Sequence, residues 1–217
     1  MKETLDLETV EDYFENLKLF ILELQFCIEN IERLVECKSE GLNIKPISNF
    51  LSHYVYLSYS HIAINIYKIY KPEEKRSFQK LFNKFKNFRY SESLRNLMID
   101  NSTKDDQNLI KNKADLLNAV SEIENRIIKY EKILNLIITR RQTFYAHTDP
   151  NAGMETERLS DLKEIRDLTL KIYNELYGKL FGRYYMFNGI CTLIDEILDD
   201  RKFVDEYWKS EEKKLEL

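Results

Sequence analysis

The sequence predicts an all-α protein, a single up-and-down bundle of about five to six helices that spans residues 1–217. The 217 residues include only five glycines and three prolines, fewer than the turns of a sheet protein require. Apolar residues recur at steps of three and four over long stretches, which is the helical period. With 43% hydrophobic residues and no linker of low complexity, the chain forms one globular domain.

The first helix is indicated by apolar residues at helical spacing from Val10 to Val35, and Gly41 supplies a left-handed residue just beyond its end. Pro46 at an early-turn position then opens a second helix over about 47–70. Apolar residues off its main stripe suggest that this helix is central. The stripe along one side of it contains Phe50, Leu51, Tyr54, Leu57, His61, Ile64 and Tyr67/Lys68.

A third, shorter helix is predicted to start at Pro72, because proline at a first turn loses no hydrogen bond and Glu73 and Glu74 suit the positive helix end. Its body contains four phenylalanines up to Phe88. The stretch 90–106 is rich in Ser, Asn, Asp and Thr, and it predicts an irregular connection with one helical turn.

A long helix is predicted from Gln107 to His147, since its apolar period continues without glycine or proline and Pro150 disfavours the α conformation of the residue before it. Another helix follows from Ser160 and closes at Gly182. The last helix is expected over about 184–208.

Charge and cysteine content restrict the classes of function. The net charge of −4 means that the molecule as a whole does not attract polyanions, so any RNA site must be a local basic surface. Cys27, Cys37 and Cys191 lie in apolar helical stretches and are expected to be buried thiols. Since no signal peptide and no run of 18 apolar residues is found, a cytoplasmic protein without membrane contact is expected.

The motifs of most enzyme classes are missing from the sequence: the zinc-protease, hydrolase, P-loop and EF-hand patterns do not occur. No metal or other cofactor is implied. His53 and His61 are eight residues apart and lack an acid at ligand spacing, so structural or surface roles are expected for both.

His147 differs, because two arginines lie close to it near the end of the predicted long helix. On an ideal helix Arg140 falls within about 20° of His147, while Arg141 continues the apolar stripe of Ile127 and Leu134. A guanidinium on an apolar stripe indicates a site or a partner surface, since its burial is costly without an acceptor. The alternative is a helix end at which cations favour the negative pole of the helix dipole.

These residues resemble the signature of the HEPN superfamily of small helical-bundle proteins, in which an arginine is followed, after four to six residues, by a histidine near the end of a late helix. Arg141 with five intervening residues fits, and Arg140 with six also fits. The run 141–149 is similar to the AbiU-type branch, which is linked to phage abortive infection. The segment Ile62–Leu81 shows a second similarity, whereas Gln142 departs from the usual Asp, Asn or His.

The resemblance implies a metal-independent endoribonuclease of toxin or phage-defence type, which acts as a homodimer with its motifs facing across the two-fold axis. It implies that His147 transfers protons and that Arg141 stabilises the phosphate. Arg140 becomes a second phosphate contact or the alternative motif arginine. Tyr145 and Asp149 become candidates for positioning the imidazole or the substrate. The implied partners are RNA and an antitoxin or regulatory protein.

Two basic segments are candidate RNA contacts. Eight cations lie between residues 68 and 89, with phenylalanines interleaved, which favours phosphate binding and base stacking. The alternative is that the phenylalanines face the core and the lysines only solvate the outer side. The RNA-binding candidates are Lys75, Arg76 and Lys80 in this segment and Lys129 and Lys132 on the predicted long helix.

Two other functions are compatible with the sequence. One is a catalytically inactive HEPN-like dimer that binds RNA, nucleotide or a partner protein. Gln142 and the negative net charge of the chain favour this function. The other is a helical adaptor in which the Arg/His cluster only completes a helix end.

Overall fold

A computed structural model describes residues 3–39, 48–145 and 157–187 of the chain. Seven α-helices within these ranges confirm the predicted all-α class but exceed the predicted five to six, and one short parallel strand pair is added to them. The helices are α1 (Leu7–Ser39), α2 (Ser48–Tyr70), α3 (Phe78–Asn87), α4 (Glu92–Ser102), α5 (Lys113–Ile128), α6 (Glu131–Arg140) and α7 (Leu159–Phe181). The strands are β1 (Thr4–Leu5) and β2 (Arg89–Tyr90), and a π-helical turn at Arg141–Tyr145 follows α6.

The core forms where α1 packs against α2 and α7. Phe14 of α1 is fully buried, and its ring meets three aromatic rings of α7 at centroid distances of 5.3–5.7 Å. Such edge-to-face pairs add to the free energy gained by burial. The three rings belong to Tyr173, Tyr177 and Phe181. Helix α2 extends the core to α6 and to the π turn.

The buried face of α2 differs from the predicted stripe. Leu57 is 50% exposed and His61 is also exposed, whereas Ile62, Ile66 and Ile69 are fully buried. Because apolar residues surround this helix on several sides, the period alone does not define which face turns inward. Contacts with α1 and α6 make that choice.

Helix α3 starts later than predicted. Pro72 and its two following glutamates lie in turns, and the helix begins at Phe78. The Ser77 hydroxyl accepts a hydrogen bond from the Lys80 amide at 3.2 Å. Serine is a strongly preferred residue at this capping position, since it satisfies an amide that the helix leaves unpaired.

We expect Ser77→Ala to lower the free energy of unfolding by about 1 kcal/mol, because the Lys80 amide would lose its acceptor in a buried place. Urea unfolding followed by circular dichroism measures the change. Ser121→Ala, at an exposed position within α5, is the matched control and should stay within about 0.5 kcal/mol of wild type. Equal stability of the two variants would show that Ser77 does not act as a cap.

The prediction of an irregular connection over 90–106 is wrong, since this stretch contains α4. The Ser91 hydroxyl accepts from the Leu94 amide at 3.3 Å, and Leu94 and Met98 are buried one turn apart. The buried Asn101 amide donates to the Leu180 carbonyl at 2.8 Å. The polar residues that suggested a loop thus serve as a helix cap and as a link to α7.

The predicted long helix is divided. Asn112 caps the start of α5 through its side-chain oxygen, which accepts from the Asp115 amide at 3.0 Å. The chain then turns at Lys129–Tyr130, where the Tyr130 amide donates to the Ile127 carbonyl at 2.9 Å. Helix α6 is therefore a separate helix after a two-residue turn, although no glycine or proline marks the break.

The end of α7 is as predicted, because Gly182 adopts a left-handed φ of 66° and its amide bonds the Gly178 carbonyl. Residues 183–187 are not helical, so the predicted last helix does not start at Tyr184, and the rest of that prediction lies outside the described residues.

Cys27 is buried, and desolvation raises the pKa of its thiol to about 11. Cys37 and Cys191 lie beyond the described side chains.

The strand pair holds the start of the chain against the segment after α3. Thr4 pairs with Arg89 and Leu5 with Tyr90, in parallel. The Arg89 amide donates to the Glu3 carbonyl at 3.1 Å, and the Ser91 amide donates to the Leu5 carbonyl at 2.9 Å.

Among the described helices, none is long and apolar enough to span a membrane.

Candidate functional site

The predicted motif begins where α6 passes into the π turn Arg141–Tyr145. The Arg141 amide still donates to the Ile137 and Ile138 carbonyls of α6. A π turn bonds residues five apart, so the ideal-helix angles between the arginines and His147 do not apply across it. Such turns are rare and occur frequently at functional sites.

Arg141 lies on the ring of Tyr67, which is one turn before the end of α2. Its guanidinium carbon is 4.4 Å from the ring centroid, within the range of a cation–π contact. Its buried Nε has no hydrogen-bond partner among the described residues. An unsatisfied buried donor costs about 1–3 kcal/mol, so Arg141 retains binding capacity for an acceptor that is not one of these residues.

Arg140 differs from Arg141, because it forms an ion pair with a carboxylate. Its Nε is 2.9 Å from Oε2 of Glu157, and the two side chains are only 11% and 2% exposed. Glu157 lies just before α7, so this ion pair joins the end of α6 to the approach to α7. The charge of Arg140 is neutralised there, which leaves Arg141 as the better candidate for binding a phosphate.

Other residues of the predicted motif lie outside the described part of the chain. His147 and Asp149 fall between residues 146 and 156, and the side chain of Tyr145 is also not described. Their roles stay predictions. Glu157 was not among the predicted site residues, and no spacing or motif identifies it. Tyr67 belongs to the second segment of family similarity, which is the signal that could have drawn attention to it.

Of the five predicted RNA-binding residues, one is paired with an acid and four are exposed. Arg76 forms an ion pair with Asp12, and its guanidinium lies 4.9 Å from the Tyr13 ring centroid. The other four candidates have exposed side chains, and within the described ranges no carboxylate pairs with them. These four are Lys75, Lys80, Lys129 and Lys132.

The interleaved phenylalanines do not form a stacking surface. Phe78, Phe82 and Phe85 are fully buried, so the alternative interpretation, in which they face the core, is confirmed. Phe88 is half-buried, and Lys84 Nζ lies 4.4 Å from its ring centroid. Base stacking on this helix is therefore excluded for the three buried rings.

Comparison with protein-family models, with curated proteins and with solved structures gave no match for this chain. Within the residues that the structure describes, no group of three His, Cys, Asp or Glu side chains could hold a metal ion. The function of the protein is therefore inferred from its own residues, above all from the two arginines at the π turn.

Proposed function

We propose that the protein is a metal-independent endoribonuclease of toxin or phage-defence type, a HEPN-like protein that acts as a homodimer. One observation supports this function most: Arg141 is held on the Tyr67 ring at a π turn, with a buried donor to spare, while its neighbour Arg140 is neutralised by Glu157. A positioned guanidinium of this kind suits a phosphate group. His147 follows within the same motif.

In the proposed reaction the ribose 2′-oxygen attacks the phosphorus atom, and the bond between phosphorus and the 5′-oxygen breaks. His147 accepts the 2′-hydroxyl proton, because an imidazole suits proton transfer near neutral pH, and the second histidine of the dimer protonates the leaving 5′-oxygen. The products are a 2′,3′-cyclic phosphate and a free 5′-hydroxyl. Arg141 stabilises the additional negative charge of the pentacoordinate phosphorus.

An exposed apolar pair on α2 is the proposed contact surface for a second subunit. Tyr56 precedes Tyr67 by eleven residues on α2, so the two side chains lie within about 20° around the helix and about 16 Å apart along its axis. Tyr56 is 41% exposed and its neighbour Leu57 is 50% exposed. Large apolar side chains exposed on one face of a helix are common at interfaces. In the proposed dimer a two-fold related copy covers them.

RNA is proposed to reach the site along the exposed lysines of the α5–α6 junction, Lys129 and Lys132. Lys75 and Lys80 remain candidates for further phosphate contacts, whereas Arg76 is removed from this set because Asp12 already binds it. An antitoxin or regulatory protein is the other proposed partner, since a free ribonuclease would damage the cell that makes it.

A labelled single-stranded RNA incubated with the pure protein in EDTA tests the proposal. We expect cleavage by the wild type, with 2′,3′-cyclic phosphate ends, and a rate lowered about 10²–10⁴-fold in His147→Ala, the usual range for removing an acid–base catalyst. His53→Ala, at an exposed histidine of α2, is the matched control and should cleave like the wild type. Cleavage undiminished in His147→Ala would overturn the assignment.

The second candidate function is a catalytically inactive dimer of the same kind that binds RNA, nucleotide or a partner protein. Gln142 favours it, because this exposed residue of the π turn stands where the family usually has Asp, Asn or His. A clean wild type that binds RNA without cleaving it in the assay above would support this candidate.

A further inference from the structure

A cavity of about 450 Å³ lies between the start of α1, the end of α4 and the end of α7. This volume falls in the range of small-molecule sites. Four partly buried hydrophobic residues, two acids and two bases line the cavity, so its formal charge is zero. None of these eight residues belongs to the set proposed for RNA cleavage or RNA binding.

The two aromatic rings of the cavity are held in place by the core. Tyr177 and Phe181 are one helical turn apart on α7, and their ring centroids are 4.9 Å apart. Both rings also meet the fully buried Phe14 of α1, at centroid distances of 5.3 and 5.7 Å. Leu7 and Leu97 supply the aliphatic lining. A ligand with a large apolar side chain would therefore meet a preformed apolar surface, which lowers the cost of binding.

The two acids of the cavity come from α1. Glu11 and Glu15 are four residues apart, so their side chains lie on the same face of this helix, and both are exposed. Glu15 forms an ion pair with Lys18, whereas Glu11 has no hydrogen-bond or ion-pair partner among the residues that the structure describes. Glu11 is therefore the carboxylate that can accept hydrogen bonds from a ligand ammonium group.

The two bases of the cavity follow the ends of α4 and α7. The Lys104 ammonium donates to Asn101 Oδ1 at 3.1 Å, which leaves further N–H donors on the same group. Arg183 is exposed and follows Gly182, whose left-handed φ of 66° ends α7. Within the described ranges no carboxylate pairs with either base.

The opposite charges of this cavity do not neutralise one another. Elsewhere in the protein an acid and a base pair directly, as Arg126 and Glu175 do at 2.6 Å. Glu11 lines the same cavity as Lys104 and Arg183, but no ion pair joins it to either base in the described part of the chain. A phosphate or another anion would be repelled by the acids, and a simple cation would be repelled by the bases. A ligand with one charge of each sign matches both groups.

We propose that this cavity binds a free amino acid with a large apolar side chain. The ammonium group of the ligand donates to Glu11, and its carboxylate accepts from Lys104 and Arg183. The ligand side chain packs on the rings of Tyr177 and Phe181. A guanidinium suits a carboxylate, because its planar fork can donate two parallel hydrogen bonds. A free amino acid carries both charged groups on one carbon atom, whereas each end of a peptide carries one of them.

Isothermal titration calorimetry of the full chain with L-phenylalanine tests the site. N-acetylphenylalanine lacks the ammonium group and represents a peptide C-terminus, whereas phenylalaninamide lacks the carboxylate and represents an N-terminus. We expect L-phenylalanine to bind about tenfold or more tightly than either derivative, because a hydrogen bond to a charged group contributes about that factor. Equal binding of L-phenylalanine and one derivative would overturn the proposal, and so would no binding of L-phenylalanine at millimolar concentration.

Two single variants assign the charged contacts. Glu11→Gln should weaken the binding of L-phenylalanine about tenfold and leave the weaker binding of N-acetylphenylalanine unchanged, since that derivative has no ammonium group. Arg183→Gln should weaken L-phenylalanine by a similar factor and leave phenylalaninamide unchanged. Glu122→Gln and Arg89→Gln, at exposed positions outside the cavity, are the matched controls and should bind L-phenylalanine like the wild type.

Equal weakening in a variant and its matched control would show an unspecific effect of charge and overturn the site. Each titration measures binding of an amino acid rather than cleavage of RNA. Its result therefore supports or overturns the cavity site whether or not the protein is a ribonuclease.

Discussion

Replacing Arg141 with alanine is expected to slow RNA cleavage by about 10²–10³-fold, the loss that follows removal of one donor to a developing negative charge. The same change should alter the free energy of unfolding by no more than about 1 kcal/mol. Alanine loses the cation–π contact with Tyr67, but it also removes the Arg141 Nε, a buried donor that no described residue satisfies, and the two effects offset each other. Loss of activity without loss of stability is the pattern of a functional residue.

The measurement combines RNA cleavage rates with urea unfolding of the same preparation. Arg141→Lys is the conservative variant: it keeps the charge but loses the planar fork, so we expect partial activity. Light scattering checks that each variant keeps the oligomeric state of the wild type. Wild-type cleavage by Arg141→Ala would remove Arg141 from the proposed mechanism.

Glu157→Gln is expected to lower the free energy of unfolding by about 3 kcal/mol. The side chains of Arg140 and Glu157 are almost fully buried, and removal of one partner of such a pair leaves the other charge without its counter-charge in a place of low dielectric constant. Urea unfolding measures the loss. Glu164→Gln, at an exposed position of α7, is the matched control and should be close to neutral.

A double-mutant cycle separates the ion pair from the other effects of the substitution. Arg140→Gln alone should also destabilise the protein, whereas Arg140→Gln/Glu157→Gln should lose less than the sum of the two single losses. Additive losses would mean that the two groups do not interact in solution. A combined loss smaller than the sum would support the assignment of Arg140 to stability and of Arg141 to phosphate binding.

The helices that were predicted well have a clear apolar period and a strong signal at one end. Helix α1 buries its predicted stripe from Val10 to Ile31, whereas Val35 near its end is 55% exposed. Gly182 ends α7 as expected, because a left-handed position strongly favours glycine. Helix α4 was missed because Ser91 and Asn101 are typical of loops by composition. Ser91 caps the helix through a local bond to the Leu94 amide, whereas Asn101 becomes a link to α7 only through a tertiary contact with the Leu180 carbonyl.

The arginine pair was found from the sequence, but the different roles of its two members were not. Arg140 and Arg141 are neighbours with the same chemistry, and ideal-helix angles favoured Arg140 as the neighbour of His147. The π turn changes those angles, and Glu157, distant in sequence, neutralises one of the two. Contacts of this kind depend on how α6 and α7 approach each other, which no local pattern records.

The small strand pair links the beginning of the chain to the segment between α3 and α4. Arg89 and Tyr90 form β2, and backbone bonds to Glu3 and Leu5 keep them in place. Both residues also line a cavity between β2, α4 and the start of α5. Trimming the first residues, or fusing a bulky peptide close to them, would therefore loosen this wall of the cavity without changing any of its side chains. A purification tag is best attached elsewhere.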